Sequence, residues 1–163
     1  MVQQGGIGES EEREVPDLED REPCPAWELE GKLREGRQSG KLNVREQGQL
    51  LLRLAKACWG EGKPGAAVLH LQQAAALWES INELLALGKC WHMMGQCRYR
   101  AQEVSQALDC FKRAYAVAER SSLDDLTVRS LYSSALCKLV MNEPEGARNL
   151  LQEASDRLGH GLR

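Results

Sequence analysis

Residues 90–114 read CWHMMGQCRYRAQEVSQALDCFKRA, with Cys90, His92, Cys97 and Cys110 close together in the chain. Those residue types suit a metal or thiol centre, but they also fit one unit of a repeated structure. Sliding the sequence along itself favours repetition. Ala107, Phe111 and Ala114 are matched forty residues upstream by Ala67, Leu71 and Ala74, and forty downstream by Ala147, Leu151 and Ala154.

A second pattern precedes each copy in the same register. Leu51, Trp91 and Leu131 correspond, as do Ala55, Gly95 and Ala135, then Trp59, Tyr99 and Leu139. Small residues flanked by large apolar ones let two helices approach closely, so each unit reads as a helical hairpin, helix A followed by helix B. Asn43 with Glu46 and Ser122 with Asp125 read as capping boxes, and Asn82 is placed to cap the second A helix. Pro64 and Pro144 suit the first turns of B helices. The middle turn, Arg100 to Glu103, has neither Gly nor Pro.

Trp91, Met94, Gly95, Ala107, Phe111 and Ala114 fall on the W…L-G…A…F…A spacing of the tetratricopeptide repeat, with Met94 in place of Leu. The chain resembles that family over residues 43–158, and the forty-residue period is similar to the longer repeats of polarity adaptors and kinesin light chains. Its usual Tyr is displaced by one, to Tyr99, and its terminal Pro is missing. The resemblance implies an all-α superhelical solenoid of about three hairpins, with repeats near 48–87, 88–127 and 128–160. It also implies a non-catalytic adaptor, with the A helices lining a concave face.

Composition agrees with helices. Apolar residues make up 42% and charged ones 28%, with one Phe and three Tyr, and Leu and Ala outnumber the β-branched types. The net charge of −3 is uneven: residues 1–25 hold eight acids against two arginines, so the other 138 residues carry +3. Residues 1–24 therefore read as a disordered acidic tail. Residues 25–42 read as a short capping helix and linker, with Trp27 and Leu33 expected to lie on the first A helix; a plain linker is the alternative. No apolar run reaches the roughly 18 residues that span a bilayer, and no hydrophobic signal segment is present. The expectation is a cytosolic or nuclear, most simply cytoplasmic, protein with six reduced thiols and no membrane association. A cytoskeletal or ciliary setting follows only from the resemblance.

Chemistry is disfavoured. Cys90 and Cys97 are about two helical turns apart, roughly 10 Å, too far for one zinc ion. No CxxC pair exists, the three histidines are scattered, and Cys90 and His92 point in different directions on a helix. Neither enzyme activity nor a cofactor is expected. The cysteines read as small apolar core residues.

Projecting the register predicts the concave face. The first unit contributes Gln49, Leu52, Lys56 and Trp59, and the second Lys89, His92, Gln96 and Tyr99 with Arg100 at the rim. The third contributes Arg129, Tyr132 and Leu136. Four cations and no carboxylate suit a peptide with acidic and apolar groups; solvated helix faces are the plainer alternative. Some family members clamp a C-terminal carboxylate through Lys and Asn at defined inner positions; here the first-unit positions hold Leu52 and Lys56, and the second-unit position for Asn holds Met93. That disfavours a chaperone-tail ligand. Nucleic acid is not expected as a partner, because the basic excess is small. A second function fits the sequence: self-association, or stacking on another helical protein, through a C-terminal repeat with no solvating helix after it. The same feature suits a short isoform or a fragment. The acidic tail could also dock on the basic groove and compete with a partner.

Overall fold

The computed structural model describes residues 24–161; the acidic tail expected to be disordered lies, through residue 23, outside the described residues. Seven helices follow one another and no strand occurs among the described residues: α1 (Ala26–Ser39), α2 (Val44–Gly60), α3 (Pro64–Ser80), α4 (Leu84–Arg100), α5 (Val104–Arg120), α6 (Asp124–Val140) and α7 (Pro144–Gly161). Each helix packs on the next, and α4 also touches α6. The result is a stack of three hairpins, α2–α3, α4–α5 and α6–α7, with α1 laid against α2.

The period is finer than the sequence repeat. Helices α2 to α6 each have 17 residues, separated by three-residue turns, so a helix begins every twenty residues. Gly62, Asn82, Gln102, Ser122 and Asn142 stand at that spacing, and all have positive φ. At each turn the amide after this residue donates to a carbonyl five residues back, as from Glu83 to Trp78 and from Glu103 to Arg98, both at 2.9 Å. The left-handed residue itself donates three residues back, from Asn82 to Glu79 and from Gln102 to Tyr99. These paired bonds satisfy the last carbonyls of one helix and reverse the chain into the next.

This geometry corrects two expectations. Asn82 and Ser122 are not N-caps: Glu83 and Leu123 occupy those positions, without side-chain capping bonds. Asn and Ser close the preceding helix because short polar residues tolerate the left-handed region better than bulky ones. The box at Asn43 and Glu46 does form, with bonds of 2.9 and 2.8 Å. Trp27 is the third correction. Ala26, Leu29 and Leu33 form the buried stripe of α1, whereas Trp27 is rotated out of that stripe and is 72% exposed.

The core runs along the seams between helices. Ala55, Ala67, Leu71, Ala74, Ala107, Phe111, Ala114, Ala135 and Ala147 are buried as the register expects, whereas Leu139 and Leu151 at register positions of the third hairpin are exposed. A Cβ added at Gly95 would stand 2.5 Å from the Phe111 ring, so only glycine lets α4 and α5 close over that ring. Cys58, Cys90, Cys97, Cys110 and Cys137 are free and buried among these apolar groups.

Candidate ligand groove

A groove of about 730 Å³ lies over α4 and α6, bounded by the end of α2 on one side and by α7 on the other. Its position follows from helix phase. His92, Gln96 and Tyr99 recur at three- and four-residue spacing on one face of α4, and Arg129, Tyr132, Ser133 and Leu136 do so on α6. The two helices touch, so the faces form one surface.

The floor is apolar and ordered. His92 is buried, its ring 5.2 Å from Phe111 and its Nε2 3.2 Å from the Ser133 hydroxyl. Burial holds its basicity below the ordinary value of 6.5, and the nearby Arg129 guanidinium acts in the same direction. This histidine is a neutral floor residue at pH 7. At one end the Arg100 guanidinium lies 4.5 Å from the Trp59 ring centroid, a cation–ring contact that fixes the two side chains against each other. Arg129 reaches Asp125 at 3.5 Å, an exposed pair that is easily exchanged for another carboxylate. Tyr132 is 55% exposed, unusual for an aromatic ring on a helix that packs on both sides.

Of the residues projected from the sequence, Trp59, His92, Gln96, Tyr99, Arg100, Arg129, Tyr132 and Leu136 line this groove together. Gln49, Leu52, Lys56 and Lys89 do not. Leu52 is half-buried against the core, Gln49 is half-buried, and Lys56 and Lys89 are exposed outside the groove. Sequence projection missed Phe111, Val128, Ser133, Leu151, Ala154, Ser155 and Leu158. Leu151 and Leu158 carried a signal: by register they match Leu71 and Trp78, whose side chains are buried. No helix follows α7 among the described residues, so its inner face becomes a wall.

The thiols give this region no nucleophile. Burial pushes Cys90 up to about 12 and Cys97 and Cys137 up to about 11. A thiol so far above neutral pH stays protonated, and the protonated form is the poor nucleophile. Among the described residues no cluster of His, Cys, Asp and Glu could hold a metal ion, and no helix is long and apolar enough to cross a membrane.

No protein-family model matches the sequence, and no curated protein matches it either. Solved structures do match in fold. Aspartyl phosphate phosphatase F from Bacillus subtilis superposes with a TM-score of 0.68 at 17% identity over 74% of this chain. The match spans 32% of the phosphatase, so this chain covers about a third of that protein. The TPR domain of Arabidopsis FLU superposes with a TM-score of 0.67 at 18% identity, over 72% of this chain and 99% of that domain. At such identities the likeness is one of architecture. The chain therefore has a tetratricopeptide-repeat-like fold, an all-α helical repeat solenoid.

Proposed function

We propose that the chain is a protein-interaction module that holds a peptide segment with acidic and apolar groups in the groove over α4 and α6. The observation that carries this reading is the groove's lining. Trp59, Tyr99, Tyr132 and Leu136 provide apolar contact, Arg100 and Arg129 stand among them, and no carboxylate lines it. Exposed aromatic side chains grouped with arginine are the usual anchors of a protein interface. Carboxylates of the ligand would bond the guanidinium groups while its apolar side chains cover the rings. A scaffold joining such a segment to a larger assembly follows from this activity, and catalysis forms no part of it.

The test is fluorescence anisotropy with a labelled peptide of about twelve residues that alternates Glu with Leu and Phe. Tyr132→Ala and Arg100→Glu should each weaken binding by about tenfold, equivalent to roughly 1.4 kcal/mol. Lys112→Glu, outside the groove, should leave it unchanged. Equal binding by all four proteins, or by none, would overturn the reading.

A second reading rests on a different surface. Leu139, Val140 and Met141 are exposed at the end of α6, beyond Leu136 and outside the groove lining. An apolar group of this kind fits self-association or stacking on another helical protein. Light scattering over a concentration series, with Val140→Glu as the disrupting variant, distinguishes a dimer from a monomer.

A further inference from the structure

We infer that residues 14–20 of this chain, Glu-Val-Pro-Asp-Leu-Glu-Asp, occupy the groove as an intramolecular competitor of the partner. This rests on the peptide-binding reading above and adds its regulation. Three observations converge on this occupant.

The first is chemistry. Val15 and Leu18 are the apolar groups of the segment, and Glu14, Asp17, Glu19 and Asp20 surround them with carboxylates. That is the acidic and apolar pattern the groove suits, with Arg100 over the Trp59 ring, Arg129 further along the lining and no lining carboxylate. Asp125 is the acid already at Arg129, and as an exposed partner at 3.5 Å it yields readily to a second carboxylate.

The second is charge on a larger scale. Residues 1–25 carry −6 and the remaining 138 carry +3. Opposite charges joined by a short tether raise the local concentration of one around the other.

The third is position. The backbone amide of Ala26 donates to the Glu61 carboxylate at 3.1 Å, so the start of α1 is fastened beside the end of α2. Trp59, at one end of the groove, stands just two residues before Glu61. The chain before residue 24 therefore starts beside the end of α2, the helix whose Trp59 lines the groove. Ten residues reach about 33 Å when extended. The span from α2 across α4 to α6 is about 20 Å at ordinary helix spacing, so the tether is long enough without being loose.

A tethered segment competes at an effective concentration near the millimolar range. The experiment compares the full chain with a full-length tail variant: Val15→Ser, Asp17→Asn, Leu18→Ser, Glu19→Gln and Asp20→Asn. The probe is the labelled Glu/Leu/Phe peptide, at low ionic strength. The tail variant should bind it about five- to tenfold more tightly than wild type. The gap should narrow as salt screens the charges. Equal affinities at low salt would overturn the tail contact and leave the groove reading standing. A tail variant that fails to bind the probe would overturn both. A gap that varies with protein concentration would mean contact between copies and would overturn the intramolecular form.

Discussion

Phe111 in the second hairpin and Leu151 in the third hold one register position, yet Phe111 is 2% exposed and Leu151 39%. Seven residues further along, Ala118 is 0% exposed and Leu158 56%. The two helices share spacing and the geometry of the turn that precedes them, so the difference does not come from local structure. It comes from neighbours: α5 is covered by α6, whereas α7 has no following helix among the described residues. A repeat fixes where a side chain points, and the next element decides whether it is core or surface. Here the uncovered face borders α4 and α6, so apolar groups that are core in one hairpin become the wall of a groove in the next.

The sharpest way to break this comparison is paired truncation. Phe111→Ala should cost about 3–5 kcal/mol, because the ring is buried and leaves a cavity. Leu151→Ala should cost less than about 1 kcal/mol, since its site is already open to water. Urea unfolding of both variants decides the matter; equal losses would mean that the two positions are equally buried. Next in size is Gly95→Ala, which forces a Cβ against the Phe111 ring and should cost about 1–3 kcal/mol, again by urea unfolding.

Acid offers a smaller effect. His92 is buried, and Tyr132, its register partner in the third hairpin, is exposed. The folded state keeps His92 below 6.5, so the unfolded chain takes up a proton that the folded chain refuses. Stability from this group is complete above about 6.5 and falls as pH drops through that value toward the folded one. Half-buried His70 acts in the same direction. Chemical unfolding at pH 7.5 and pH 5.5 should show this fall, and His92→Gln should flatten it. The smallest expected change is a gain. Gln102 sits at φ 64, where Gly62 stands in the first hairpin, and Gln102→Gly should stabilise by about 0.5–1 kcal/mol in a thermal melt.

Much of the architecture was legible because the register repeats. The positions of Ala67, Ala107 and Ala147 identified buried seams from residue size alone, and the Arg100–Glu103 turn was found without Gly or Pro to mark it. The capping reading failed at Asn82 and Ser122 because Asn and Ser serve both ends of a helix, and only backbone dihedrals tell the two uses apart. Trp27 misled through its type: a large ring suggests burial, but the phase set by Ala26, Leu29 and Leu33 turns it outward.

The candidate site divides along the same line. That one face of each helix is the inner one followed from the tetratricopeptide resemblance; periodicity grouped the residues on one face of α4 and one of α6, because the phase of a helix is a local property of its sequence. It also gave the hairpins, their forty-residue spacing and the split of charge between tail and body. Only the tertiary structure decided which inner residues form one surface. It brought Trp59 and Arg100 into contact, left Gln49, Leu52, Lys56 and Lys89 outside, and turned Leu151 and Leu158 from core positions into a wall. Burial and enclosure depend on what stands on the other side of a residue, and no single stretch of chain contains that information.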